Sequence, residues 1–174
     1  TTTETMANLK QVTGFINACG INIKDHLVPI TAKGSPGDDA TDDMLNTFHM
    51  FDFIGGRYSV TSAVGALPLS LAFGFDMFER FLKGCRQMDR HALTAPEHDN
   101  IPLLAALISI WNSHFLFCSA QAIIPYCSAL SKLAPHVQQL YMESLGKSVT
   151  TTGDFIDYPS GVIIFGEPGT CAQH

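Results

Sequence analysis

The chain reads as an α/β protein with parallel strands. Three observations predict this: short apolar segments suited to strands recur along the 174 residues, helical periodicity fills the stretches between them, and a glycine-rich turn directly follows one strand. Ligand sites in such layers lie at the carboxyl ends of the strands. Four strand segments are few for a complete doubly wound domain, and a helical block from Ser59 to Ala120 splits them. The chain is therefore expected to be a piece of a larger protein.

The elements follow in order. Thr1-Thr2-Thr3-Glu4 offers hydroxyl acceptors with a carboxylate three positions later, the pattern of a capping box, before a helix that runs to about Ala18. Gly20 stops it. His26 to Thr31 reads as a short strand, and Lys33 to Asp43 as a solvated, acidic turn region. A second apolar run, Phe48 to Phe53, enters the Gly55-Gly56 turn, and a helix start is predicted at Ser59. Leu71, Phe75, Phe78 and Leu82 then recur at helical spacing, with a break between two helices at Gly74 and Asp76. After a polar loop from Thr94 to Asn100, Pro102 begins a long helix that is apolar on all sides and is predicted to be buried. Ala122 to Tyr126 reads as a strand, Ala129 to Gly146 as an amphipathic helix, and Gly161 to Phe165 as a last strand before the turn at Gly166-Glu167-Pro168-Gly169.

Composition narrows the function. A net charge of −6, with only ten Lys and Arg, argues against nucleic acid as the main partner, because phosphate backbones need clustered cations. An anionic small molecule would have to be held by local donors. The longest apolar run, Ile101 to Trp111, ends at Asn112-Ser113-His114 and is too short to span a bilayer, so no membrane partner is expected. The chain start has no signal-peptide pattern. The five cysteines, Cys19, Cys85, Cys118, Cys127 and Cys171, are widely and irregularly spaced in apolar surroundings, which predicts reduced, buried thiols in a cytoplasmic protein. His26, His49, His91, His98 and His114 show no ligand spacing, and Asp38, Asp39, Asp42 and Asp43 lack the alternation of a calcium loop. No metal or cofactor is assigned. Ser59 and Ser62 lack a nucleophile elbow.

The strongest site signal is Asp52-Phe-Ile-Gly-Gly-Arg57-Tyr-Ser-Val-Thr-Ser-Ala-Val-Gly65. Gly55 and Gly56 permit a tight turn and close backbone approach to a ligand, and Arg57 adds a forked, permanent cation next to a helix start. Anions fit there. Gln139 and Glu143 lie four apart on one predicted helix, with His136 one turn earlier, and so share a face. On spacing alone a solvated helix face with intrahelical hydrogen bonding is the better reading. Likewise His174 reads as a mobile end, and the Thr1 to Thr5 cluster as a helix cap that could also take phosphate.

The Asp52 to Gly65 stretch resembles the signature of the glucose-6-phosphate isomerase family position by position, and two further stretches, Gln138 to Lys147 and Gly166 to His174, resemble others of its segments. The resemblance covers essentially the whole chain. It implies a sugar-isomerase (SIS-type) three-layer parallel-sheet fold, here partial: residues 1–65 as the end of a first domain, 66–98 as a helical connection and 99–174 as the start of a second. It implies interconversion of glucose 6-phosphate and fructose 6-phosphate without cofactor, in a homodimer. In that scheme Glu143 is the base, Gln139 contacts the sugar, Arg57 beside Gly56 stabilises an enediolate, and His174 assists ring opening. Thr1 and Thr2 would belong to a phosphate loop whose opening Ser-Lys lies upstream, and Glu4 would orient the histidine or cap the helix. Cys171-Ala172 departs from the family's more usual Asn-Gly. A catalytic lysine has no counterpart here, and the family's histidine reaches the site from the partner subunit, so the chain by itself is expected to be inactive. A non-catalytic sugar-phosphate-binding or dimerisation module is the alternative of another class. A phosphoglucose/phosphomannose isomerase, which matches the long motifs less well, is the alternative within the enzymes.

Overall fold

A computed structural model describes residues 2–39 and 44–173. The chain divides into two units, Thr1–Leu82 and Lys83–His174.

The first unit opens with α1 (Thr3–Ala18), capped by the Thr2 hydroxyl, which accepts from the Thr5 N–H at 3.3 Å. Glu4 occupies the second helical position instead of closing a reciprocal box. Gly20, with φ +73°, ends the helix as expected: its N–H reaches Asn17 and that of Ile21 reaches Ile16, which satisfies two terminal carbonyls. Strands β1 (Ile30–Ala32) and β2 (Phe48–Met50) pair in parallel, Ile30 opposite Phe48. The Lys33 to Asp43 loop is less solvated than predicted where it is described. Asp38 accepts from the Gly34 N–H at 2.8 Å and pairs with His49 of β2 at 2.7 Å. These contacts, the backbone one first, hold its carboxyl below the usual range. Asp42 and Asp43 lie outside the described residues.

The predicted helix start at Ser59 moves to α2 (Ala63–Phe73), because the chain first makes a 3₁₀ turn over Gly56–Thr61. Ser59 spends its hydroxyl on the Gly56 carbonyl at 2.7 Å, while the Ser62 oxygen accepts from the Val64 N–H and so becomes the cap. Gly74, φ +84°, breaks the helices where expected, and α3 (Phe75–Thr94) follows with Phe78 buried. The division between the units falls within α3.

In the second unit Asn100 caps α4 (Ile101–Ile110) by accepting from the Leu103 N–H, and its amide donates to the Ala92 carbonyl at 2.8 Å. Burial of α4 is not what the structure has: Ile101, Leu107 and Ile108 are more than half exposed, because an all-apolar helix needs cover on every side and the described residues supply it on one. A π turn, Trp111–Phe115, continues α4. Strands β3 (Ala120–Ala122) and β4 (Ile163–Phe165) pair in parallel, Ala120 opposite Ile163. The single amphipathic helix predicted from Ala129 to Gly146 is three pieces: a 3₁₀ turn at Ser128–Leu130, α5 (Leu133–Gln138), and a second π turn, Gln139–Glu143. Ala134 of α5 and Ile164 of β4 form the buried centre, and Gln138 donates to the Ile164 carbonyl at 2.9 Å. The cysteines are free, as expected, but not buried: Cys85 is half-buried and the other four are exposed. Apolar neighbours in sequence signal a hydrophobic environment without saying which way a short side chain faces. Among the described residues no helix is long and apolar enough to cross a membrane.

Candidate active site

Two clusters carry the residues singled out by sequence. In the first unit β2 leads through Phe51 and Phe53, whose rings stack at 5.1 Å, into Gly55 and Gly56. Neither glycine has a positive φ, so the turn does not demand glycine. Nor does packing: a Cβ on either would meet nothing within 4 Å. The two positions leave open backbone beside the half-buried Arg57. Gly65, at the other end of the motif, is different. A Cβ there would lie 1.9 Å from the Val60 carbonyl oxygen, so α2 packs directly on the turn that presents Arg57.

Thr2 sits at the start of α1, its hydroxyl shared between the Thr5 N–H and the Thr5 hydroxyl at 3.0 Å. Glu4 turns its carboxylate to its own backbone N–H and to the Thr2 hydroxyl, which together hold it below the usual carboxylate range. A helix N-terminus is electrostatically suited to such charge. Thr1 and His174 lie outside the described residues.

In the second unit Gln139 and Glu143 are the first and last residues of one π turn, which the Ser144 N–H closes on the Gln139 carbonyl at 3.2 Å. The turn brings both side chains to the exposed face, with Tyr141 half-buried on the other. The Ser144 hydroxyl lies 3.2 Å from Glu143 Oε2, and Lys147 Nζ lies 3.9 Å from Oε1. Glu143 is 54% exposed, so the described residues form no apolar cleft around it. Widened turns of this kind recur at functional sites because the extra residue re-aims the side chains around it.

Tyr141 and Ser109 were not singled out by sequence. Their hydroxyls hydrogen-bond, and both residues line a cavity of ≈ 220 Å³ and another of ≈ 710 Å³. The signal was present as polar residues, Ser109 and Asn112, interrupting an apolar run, and as a tyrosine midway between Gln139 and Glu143. Among the described residues no group of three or more His, Cys, Asp or Glu could hold a metal ion.

Comparison with known proteins agrees with these features. The family model for phosphoglucose isomerase matches residues 1–174. The glucose-6-phosphate isomerase of Desulfosudis oleivorans is 63% identical over 178 residues, covering 100% of this chain and 33% of the relative. The cytosolic glucose-6-phosphate isomerase of Spinacia oleracea is 45% identical, with 100% of this chain and 31% of the relative covered. A solved structure, a glucose-6-phosphate isomerase from Chlamydia trachomatis, superposes with a TM-score of 0.93 at 41% identity, over 100% of this chain and 34% of its own. The chain thus spans about a third of the length of the curated relatives it matches. With a parallel α/β fold, an arginine on a glycine-opened turn and a match along its whole length, the chain belongs to the phosphoglucose isomerase family.

Proposed function

We propose that the chain carries part of the active site of a glucose-6-phosphate isomerase, which interconverts glucose 6-phosphate and fructose 6-phosphate through an enediolate. The observation that carries this reading is the pairing of Gln139 and Glu143 at the two ends of one π turn. Moving a carbonyl between C1 and C2 requires a base that takes the C2 proton and returns it to C1. Glu143 fills that role: its carboxylate is solvent-facing, and the Gln139 amide on the same turn can hold a sugar hydroxyl. Arg57 stabilises the enediolate oxygen, where a fixed cation is worth most once water is excluded, and Gly56 leaves room for the substrate beside it. Thr1 and Thr2 contribute to the phosphate site, and His174 moves a proton during ring opening.

The same reading assigns residues 1–65 to the end of one sugar-isomerase domain, 66–98 to a connection and 99–174 to the start of a second. The protein works as a cytoplasmic homodimer in which the histidine crosses to the partner's site. The 174-residue chain alone is accordingly inactive. The test is Glu143→Gln in the full open reading frame. Loss of a general base lowers kcat by about 10²- to 10⁴-fold, and exchange of the C2 proton with solvent should fall in step. Turnover close to that of the parent would remove Glu143 from the mechanism.

A further inference from the structure

The loops that leave β3 and β4 each carry an exposed cysteine, and neither is used by the proposed isomerase chemistry. Strands β3 and β4 are neighbours in parallel, with Ala122 opposite Phe165. Their exits stay together: the Ile123 N–H reaches the Phe165 carbonyl at 2.8 Å, and the Gly169 N–H reaches the Pro125 carbonyl at 2.8 Å. Cys127 lies two residues beyond Pro125, and Cys171 two residues beyond Gly169. Both cysteines line one pocket of ≈ 250 Å³, which among the described residues is formed by Pro125 to Ser128 on one side and Pro168 to Cys171 on the other.

The Gly169 to Pro125 hydrogen bond holds the two loops side by side two residues before each cysteine, and a disulfide needs Cα atoms within about 7 Å of one another. We propose that Cys127 and Cys171 form a dithiol site that closes into a disulfide by exchange with a low-molecular-weight disulfide. The thiolate of one cysteine attacks a sulfur of the small disulfide, forming a mixed disulfide and releasing one small thiol. The thiolate of the second cysteine then attacks the protein-side sulfur and releases the other. In balance, the protein gives up two electrons and two protons, and the small disulfide is reduced to two thiols. The bridge fixes the turn Gly169–Gln173 to the exit of β3. Cys118 stands before β3, at the opposite end of the strand, and Cys19 belongs to the first unit, so neither shares this pocket.

The experiment uses the protein from its full open reading frame, folded and reduced, then exposed to oxidised glutathione and mapped by mass spectrometry without reduction. A cross-link between the peptides carrying Cys127 and Cys171 is expected as the main product. Cys118→Ser should leave it intact. Cys127→Ser and Cys171→Ser should each abolish it, leaving glutathione on the remaining partner. Two separately glutathionylated cysteines, pairing of either one with a different cysteine, or no reaction in the folded protein would each overturn the proposal. The readout is a covalent bond, so it stands or falls independently of isomerase turnover.

Discussion

Replacing Gly65 by alanine adds one methyl group where α2 meets the turn that presents Arg57. The added Cβ would lie 1.9 Å from the Val60 carbonyl oxygen, 2.6 Å from its carbonyl carbon and 2.8 Å from its Cα. All three are backbone atoms, so no side-chain rotation relieves the overlap. Either the 3₁₀ turn or the first turn of α2 must shift. Overpacking of this kind costs about 3 kcal/mol, and the better helix propensity of alanine returns about 1 kcal/mol, for a net loss of about 2 kcal/mol. Urea denaturation of the full open-reading-frame protein measures this directly, as a lower midpoint at unchanged slope. Gly56→Ala is the paired control, since its Cβ meets nothing within 4 Å and its stability should match the parent. Its isomerase turnover should fall, because the open backbone beside Arg57 would be filled. If Gly65→Ala were as stable as the parent, the reasoning that this glycine exists for close packing would be wrong.

Further outcomes follow from the same geometry. Asn100→Ala removes both the cap of α4 and the donor to Ala92, at a residue that is 7% exposed, and should cost about 2 kcal/mol in denaturant unfolding; Asn100→Asp keeps the capping acceptor but turns an acceptor oxygen toward the Ala92 carbonyl, so it should also lose stability. Asp38 has its folded carboxyl depressed by the Gly34 N–H and His49, so its contribution is present above the unfolded value of 3.8 and is lost as pH falls through the lower folded value. Hydrogen exchange at the Gly34 amide should therefore speed up in that acid range. Asp38→Asn should show fast exchange at neutral pH as well.

Helix ends that depend on a single residue were readable from sequence. Gly20 and Gly74 adopt positive φ, and their lack of a Cβ is visible in one letter. Strand limits were less so. The predicted strand from His26 to Thr31 begins only at Ile30, because Pro29 has no N–H to give the ladder, although its carbonyl still accepts from Phe48. The α4 segment shows what hydropathy leaves out: it states that Leu107 and Ile108 need cover without saying what supplies it. At the site, the four-residue spacing of Gln139 and Glu143 predicted one shared face; both residues are exposed, and Tyr141 between them is half-buried. That the turn is π instead of α had no signature, since an i to i+5 bond leaves the order of side chains unchanged. Of the two roles expected for Gly55 and Gly56, a tight turn and close backbone approach, the turn needs no positive φ, and the open backbone at both positions fits the second.

The π turn at Gln139–Glu143 also sets how this segment tolerates a change of length. An i to i+5 turn holds one residue more than an α-helix needs, so removing a single residue between Gln139 and Glu143 would leave a regular helix with its backbone bonds satisfied. Residues beyond the deletion would keep roughly their bearing on α5, because the wide turn already absorbs the rotation of about 100° that one residue adds to an α-helix. The change would be local: Glu143 would follow Gln139 by three positions instead of four, on the same side of the helix but about 1.5 Å nearer along its axis. The surplus residue thus works as a spacer between the amide and the carboxylate, and a single deletion tests that spacing without unseating α5.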